Sequence, residues 1–129
     1  MDSILNNQRI MGFVASAHHE EARDYYSRVL GLSLVHDDVF AMVFEVYGGQ
    51  LLRVQKLKSH DPVAFTVFGW QVSDIAEVTK KLAERGVGFA QFGIPGQDES
   101  GICMFPNGDK VAWFKDPDGN ILSIAQIAD

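Results

Sequence analysis

The 129-residue sequence has a single cysteine, Cys103, and no long apolar run. One cysteine cannot form a disulfide within the chain, so the fold must be stabilised by packing. We expect Cys103 to be a small buried hydrophobic residue. No stretch approaches the roughly 20 apolar residues that a membrane-spanning helix needs, and residues 1–9 do not resemble a secretory signal. We therefore predict a cytoplasmic protein that does not bind membranes.

Basic residues are also scarce, because the chain has 11 of them against 17 acidic residues and a net charge of −6. A general nucleic-acid-binding protein presents a basic face that displaces the counterions of the phosphates, so we expect no nucleic-acid partner. The hydrophobic fraction of 47% and the charged fraction of 22% are those of an ordinary globular protein. The length predicts one domain, residues 1–129.

Common catalytic and nucleotide-binding motifs are absent from the sequence. It has no nucleophile elbow, and Gly96–Gly101 lacks the Gly-Lys-Ser/Thr ending of a phosphate loop. The four histidines show no metal-ligand spacing. The adjacent His18 and His19 begin a predicted helix and point apart. His36 lies next to a predicted turn and His60 in a linker, so we expect all four to be solvated.

Hydrophobic periodicity and turn residues predict a strand, a helix and three strands in the first half of the chain. Ser16 is the expected N-cap of the helix, and Gly31 is its expected end. The strands are predicted at Ile10–Ala17, Leu32–His36, Phe40–Val46 and Gln50–Lys56.

The second half has the same order of elements. Asp74 and Glu77 stand at capping-box spacing where its helix begins, and Gly86 ends that helix. The strands are predicted at Val63–Val72, Gly88–Phe92, around Ile102–Phe105, Lys110–Lys115 and Ile121–Ile127.

The two halves also match in spacing. The turn glycines Gly49 and Gly119 are 70 residues apart, and at the same offset Arg53 corresponds to Ser123. Gly93–Gly101 is an insertion in the second half. The sequence therefore predicts two copies of one module.

Three segments resemble one known family: Tyr25–Leu32 (YYSRVLGL), Gly69–Asp74 (GWQVSD) and Phe114–Asn120 (FKDPDGN). They are similar to the glyoxalase / bleomycin-resistance / extradiol-dioxygenase superfamily, also called vicinal oxygen chelate. The resemblance implies an α+β fold of two βαβββ modules, about 9–57 and about 63–128. The strands of such modules form a curved, cup-like sheet with the helices outside, within one chain or across two. The resemblance also implies a homodimer.

The third of these segments has a structural explanation of its own. In Asp116-Pro117-Asp118-Gly119-Asn120, the proline presets φ, the glycine accepts a positive φ, and the Asp and Asn side chains bond to nearby backbone. We expect Asp116 and Asp118 to shape a turn rather than to catalyse a reaction.

Active members of this superfamily usually hold one divalent metal in the cup, and the resemblance carries its four ligand positions to Met11, Arg53, Val67 and Ser123. Valine has no donor atom, and arginine stays protonated and repels a cation. A methionine thioether suits copper(I) better than Zn²⁺ or Fe²⁺, and a lone serine hydroxyl is a weak ligand. We therefore expect no metal cofactor.

The residues that line the cup are predicted from strand alternation. Apolar side chains dominate, with a few polar groups, as is typical of a small-molecule site. Trp113 stands where metal-bearing relatives often place an aromatic residue that contacts the substrate. The full inward set is Met11, Phe13, Arg53, Gln55, Val67, Gly69, Gln71, Val111, Trp113, Ile121 and Ser123. The predicted ligand-binding residues are Arg53, Gln55, Gln71, Trp113, Ser123, Met11 and Phe13.

Arg53 is the most informative member of this set. Its guanidinium can bind a ligand carboxylate or phosphate, or it can pair with a protein acid, Glu45 or Glu99. The acidic composition is compatible with a cationic ligand, whereas Arg53 favours an anionic group, and we give the local charge more weight because distant surface charge is screened. Gly93–Gly101 either covers the cup or is a solvated connector.

Two functions remain open at this point. The first is a metal-independent protein that binds a small molecule in an aromatic cup. The second is a metal-dependent enzyme with an unconventional site, either a lyase or isomerase like glyoxalase I (lactoylglutathione lyase) or a dioxygenase. The enzyme lacks an expected general base, since Ser123 stands where the superfamily places a carboxylate.

Overall fold

The computed structural model describes residues 3–129, and the chain divides between His60 and Asp61 into two compact units. Each unit packs helical segments on one face of a four-stranded mixed sheet. This α+β architecture of two βαβββ-like modules confirms the fold class predicted from the sequence. Within residues 3–129, no helix has the length and apolar character needed to cross a membrane.

The first unit has four strands, a helical segment and a short 3₁₀ turn at Tyr47–Gly49. Its sheet has the order β1-β4-β3-β2, in which β1 and β4 are parallel and the other neighbours are antiparallel. The elements are β1 (Met11–Ser16), α1 (His19–Asp24), which continues as a π-helical turn (Tyr25–Val29), β2 (Ser33–Asp37), β3 (Ala41–Glu45) and β4 (Leu51–Lys56).

The second unit repeats this topology in the order β5-β8-β7-β6, again with a parallel pair, β5 and β8. Arg53 on β4 lies opposite Phe13, and Ser123 on β8 lies opposite Gly69, so the two residues occupy equivalent places in the two sheets. The elements are β5 (Thr66–Gln71), α2 (Ile75–Glu84), β6 (Cys103–Met104), β7 (Lys110–Lys115) and β8 (Ile121–Gln126).

Two local predictions were wrong. The segment Gly88–Phe92 is not a strand, because it makes one isolated bridge, between Phe89 and Phe114, before the chain turns at Gly93 with a φ of +66°. Ser16 is not the N-cap of α1, because it still belongs to β1. Its Oγ accepts the N–H of His18 at 3.1 Å, one residue before the helix.

The prediction for the start of α2 is confirmed. The carboxylate of Asp74 accepts the N–H of Glu77 at 3.2 Å, as an N-cap residue does. Gly86 follows the helix with a φ of +95°, a conformation that glycine adopts without steric cost.

Each unit buries aromatic rings between its helix and its sheet. In the first unit Tyr26 of the π-helical turn contacts Phe44 of β3 with ring centroids 5.7 Å apart, and both are fully buried. In the second unit Phe114 of β7 contacts Trp70 of β5 at 6.4 Å and Phe89 at 5.6 Å. Because strand side chains alternate, the residues between these core positions lie on the opposite face of each sheet.

The turn between β7 and β8 is held by one buried carboxylate. Asp116 Oδ1 accepts the N–H groups of Asp118 and Asn120, both at 2.9 Å, and Oδ2 accepts from Asn120 Nδ2 at 2.8 Å. Asp116 and Asn120 are only 6% and 3% exposed. Gly119 occupies the turn with a φ of +86°. These hydrogen bonds support the structural role expected for Asp116.

We predict that Asp116→Ala destabilises the protein by roughly 2–4 kcal/mol, since three donors lose a charged acceptor in a buried turn. Urea unfolding followed by circular dichroism measures this change. Asp61→Ala is the matched control at an exposed position and should change stability by less than about 0.5 kcal/mol. Equal effects of the two substitutions would contradict the assigned role.

Candidate functional site

The face of the first sheet that points away from α1 carries four of the predicted ligand-binding residues. Burial of Val14, Leu52 and Val54 marks the helix side of β1 and β4. The alternating residues therefore belong to the other side, which we call the helix-free face of the first unit. It carries Met11, Phe13, Arg53 and Gln55.

Arg53 lies in the middle of this face. Its strand neighbours are Phe13 on β1 and Val43 on β3, so apolar side chains flank the half-buried arginine on both sides. Glu45 is on the same face but pairs with Leu51, two residues away along the strands. Among residues 3–129, Arg53 forms no ion pair within 4 Å and no hydrogen bond through its guanidinium. The pairing with a protein acid that the sequence left open is therefore not seen in the structure.

The helix-free face of the second unit carries the remaining predicted ligand-binding residues. Trp113 on β7 lies opposite Ser123 on β8, and Ser123 lies opposite Gly69 on β5. Gln71 follows two residues after Gly69 and is exposed. Since core residues alternate with them, Gln71, Trp113 and Ser123 share one side of the sheet.

An aromatic group surrounds Trp113. Phe92 approaches it edge-on with ring centroids 5.3 Å apart, and Phe105 approaches it edge-on at 6.4 Å. Phe92 is 52% exposed and Phe105 38% exposed. We call these three residues the Trp113 cluster. The sequence analysis missed both phenylalanines as site residues, because they lie outside the regular strands and alternation cannot predict where they point.

The comparisons with known proteins agree with this architecture. The family model described as "Glyoxalase/Bleomycin resistance protein/Dioxygenase superfamily" matches residues 9–124. The chain belongs to this superfamily. No curated protein matches it.

Solved structures of the superfamily share the fold at low sequence identity. A member from Sphaerobacter thermophilus is 23% identical with a TM-score of 0.74, covering 96% of this chain and all of its own. TnmS3, an antibiotic binding protein from Streptomyces sp. CB03234, is 21% identical with a TM-score of 0.73, covering 98% of this chain and 100% of its own. A lactoylglutathione lyase from Agrobacterium tumefaciens is 14% identical with a TM-score of 0.71, covering 93% of each chain.

The four positions that the superfamily uses for a metal do not suit one in this chain. Met11 and Arg53 belong to the first unit, and Val67 and Ser123 to the second. A thioether, a guanidinium, an isopropyl group and a hydroxyl do not make a ligand set for a divalent cation. In the part of the chain from residue 3 onward, no three His, Cys, Asp or Glu side chains gather elsewhere as a substitute.

The side chains of Gln97 and Asp98 help to hold the inserted segment Gly93–Gly101. Gln97 accepts the N–H of Phe92 at 2.8 Å, and it donates to the carbonyls of Ala90 and Gly101. Asp98 Oδ1 accepts from the hydroxyl and N–H of Ser100 and from the N–H of Ile102. These bonds, the Ser100 hydroxyl foremost, lower the pKa of Asp98.

The same segment borders a cavity beside α2. Its volume is about 550 Å³, and it lies between Thr79 and Ala83 of the helix and residues Asp98–Ser100 of the segment. The segment therefore packs at the helix side of the second unit through these residues. A role in covering a ligand stays a prediction.

On the helix-free face of the second unit, Gly69 and Ser123 lie so close together that substitutions can test their pairing. A Cβ atom at Gly69 would lie 2.5 Å from Ser123 Oγ and 2.9 Å from the Ser123 carbonyl oxygen. We predict that Gly69→Ala destabilises the protein by roughly 1–3 kcal/mol through overpacking. Adding Ser123→Ala should recover part of the loss, because it removes the nearer atom. Thermal unfolding monitors both variants.

The matched control is Gly88→Ala, since a Cβ there meets nothing within 4 Å. We expect it to leave the unfolding temperature unchanged or slightly raised. If Ser123→Ala gives no recovery, the facing of Gly69 and Ser123 is wrong.

Proposed function

We propose that this protein is a metal-independent small-molecule-binding protein of the glyoxalase/bleomycin-resistance type. Its ligand carries an anionic group that Arg53 binds. The single observation that carries this proposal is the guanidinium of Arg53 on the helix-free face of the first unit, half-buried and without a carboxylate partner among residues 3–129.

A guanidinium has five N–H donors and cannot be deprotonated at neutral pH. A partly desolvated cation without a partner is unfavourable. Apolar neighbours on both sides, Phe13 and Val43, limit the water that can solvate it. A carboxylate, phosphate or sulfonate would satisfy two donors at once in a bidentate pair.

The apolar part of the ligand has a counterpart beside Arg53 in Phe13, which is 52% exposed on the same face. Partly exposed aromatic rings are costly to solvate, and they bind planar or apolar groups through large contact areas. The similarity to TnmS3, an antibiotic binding protein, supports a binding role for a chain of this fold. We accordingly propose a ligand with both an aromatic or apolar body and an anionic group. Met11 and Gln55 are its other proposed contacts on this face. On the helix-free face of the second unit, taken by itself, we propose Trp113, Gln71 and Ser123 as ligand contacts.

An enzymatic role is the alternative, and the similarity to a lactoylglutathione lyase is its support. It needs a metal and a base, and the superfamily positions for both hold unsuitable side chains. A homodimer and a cytoplasmic location belong to the proposal as predictions from the resemblance and the sequence.

Arg53 can be tested with a fluorescent probe that matches this chemistry. We predict that Arg53→Gln weakens binding of anilinonaphthalene sulfonate, an aromatic anion, by about tenfold, the cost of roughly one charge-assisted hydrogen bond. Binding of the uncharged phenylnaphthylamine should change by less than twofold. Fluorescence titration measures both affinities.

The matched control is Arg28→Gln, which lowers the net charge equally. Arg28 lies on the π-helical turn and pairs with Asp24 at 2.8 Å, on the helix side of the unit. It should leave both probes unaffected. If Arg53→Gln and Arg28→Gln behave alike, Arg53 is not the anion contact and the proposed function fails.

Metal content separates the proposal from its alternative. We predict that purified, tag-free protein contains well under one equivalent of any transition metal by inductively coupled plasma mass spectrometry. Exposure to a chelator should leave the fold and probe binding unchanged. A stoichiometric metal whose removal abolishes binding would support the enzyme instead.

A further inference from the structure

An irregularity in β2 changes which of its side chains share the face of Arg53. Leu34 pairs with Phe44 and His36 pairs with Val43, so two steps along β2 correspond to one step along β3. Such a bulge rotates the residues that follow it. Phe44 is a core residue on the helix side, whereas Val43 is on the helix-free face. His36 therefore lies on the helix-free face.

The position of the next residue, Asp37, agrees with the placement of His36 on the helix-free face. Asp37 pairs with Met42 on the helix side. There its carboxylate binds Lys56 of β4 and Arg23 of α1, and these bonds, Lys56 foremost, lower the pKa of Asp37. His36 must then point the other way. The predicted strand ended at His36, next to a predicted turn, whereas β2 continues to Asp37, so His36 lies within the strand.

His36 and Arg53 are in one row across the sheet. The row runs from Phe13 on β1 through Arg53 on β4 and Val43 on β3 to His36 on β2. Two strand spacings separate the backbones of His36 and Arg53, which is about 10 Å. Val43, a small apolar residue, is the one residue between them in the row. A ligand held by Arg53 and extending along this row reaches His36.

The charged groups around His36 determine how its protonation would act. Asp38 Oδ2 lies 2.7 Å from His36 Nε2, and Glu45 and Arg53 are the charged strand residues on the same face of β3 and β4. The bond to His36 and the N–H groups of Phe40 and Ala41 lower the pKa of Asp38 to about 2. Asp38 thus stays ionised throughout the range in which histidines titrate, so protonation of His36 adds one full positive charge to this face.

We infer that His36 is a second, pH-dependent binding residue for the anionic ligand held by Arg53, so that affinity rises as the pH falls. This inference rests on the proposed function of Arg53. The sign follows from charge alone. Histidine gains a proton between about pH 8 and pH 5, and the added cation attracts the anion. At about 10 Å and low ionic strength, the effect is roughly two- to fourfold in affinity.

Anilinonaphthalene sulfonate tests this, because its sulfonate remains ionised over the whole range. Its affinity is measured by fluorescence from pH 5.5 to pH 8.0 at low salt. We expect two- to fourfold tighter binding at the acidic end for the wild-type protein, and a flat profile for His36→Gln. His60→Gln, which removes a histidine from the linker, should keep the wild-type profile. Uncharged phenylnaphthylamine should show no pH dependence.

Asp38→Asn provides a second, independent measurement. The amide keeps the Oδ1 acceptor for the N–H groups of Phe40 and Ala41, so the turn is retained, but one negative charge is lost. Binding of the sulfonate should strengthen about twofold at the two ends of the range, pH 5.5 and pH 8.0, where His36 has the same charge in both proteins.

The outcomes separate the two proposals. If Arg53→Gln weakens binding but His36→Gln keeps the wild-type pH profile, the role of His36 is overturned and that of Arg53 stands. If Arg53→Gln has no effect on the sulfonate, the proposed function itself fails. If Asp38→Asn leaves the affinity for the sulfonate unchanged, the inference is also overturned. The charge next to His36 would then have no effect on ligand binding.

Discussion

The register of β4 between β1 and β3 is the constraint on which the rest of the first unit depends. With Leu52 opposite both Gly12 and Phe44, Leu52 and Val54 are buried under the helix. The same register leaves Arg53 on the other face. A slip of one residue would bury a guanidinium in the core and expose two large apolar side chains. The folding of the unit and the placement of its cation therefore have one common cause.

This constraint explains how much the sequence could predict. Alternation and turn residues suffice for regular strands, so the sequence alone could place Met11, Phe13, Arg53 and Gln55 on one face, while their role as ligand contacts stays a prediction. Alternation fails where the ladder is irregular, and nothing in the sequence around His36 marks the bulge that turns it toward Arg53. Alternation also fails for residues outside the paired strands. Phe92 is such a residue, so it was assigned to a strand and its contact with Trp113 was not predicted.

Core residues and superfamily ligand positions lie on opposite faces of each sheet. This explains how the superfamily fold persists without the usual metal ligands. The helix and the sheet are joined by residues such as Tyr26 and Phe44 in one unit and Phe114 and Trp70 in the other. The superfamily ligand positions, Arg53 and Ser123 among them, are on the opposite faces. Substitutions there leave the buried cores untouched, so metal chemistry can be lost without loss of the fold.

The helix-free face of the first unit is poorly optimised for stability, and this supports a binding role. Phe13 is 52% exposed, and the neighbouring Arg53 has no carboxylate partner in the part of the chain that the structure describes, although the sequence has a net charge of −6. On the helix side of the same unit, by contrast, Asp37 pairs with both Lys56 and Arg23. Exposed apolar rings and charges without a partner, which do not stabilise the fold, are concentrated at functional sites. A bound anion with an apolar body would correct both deficits at once, because it pairs the guanidinium and covers the ring.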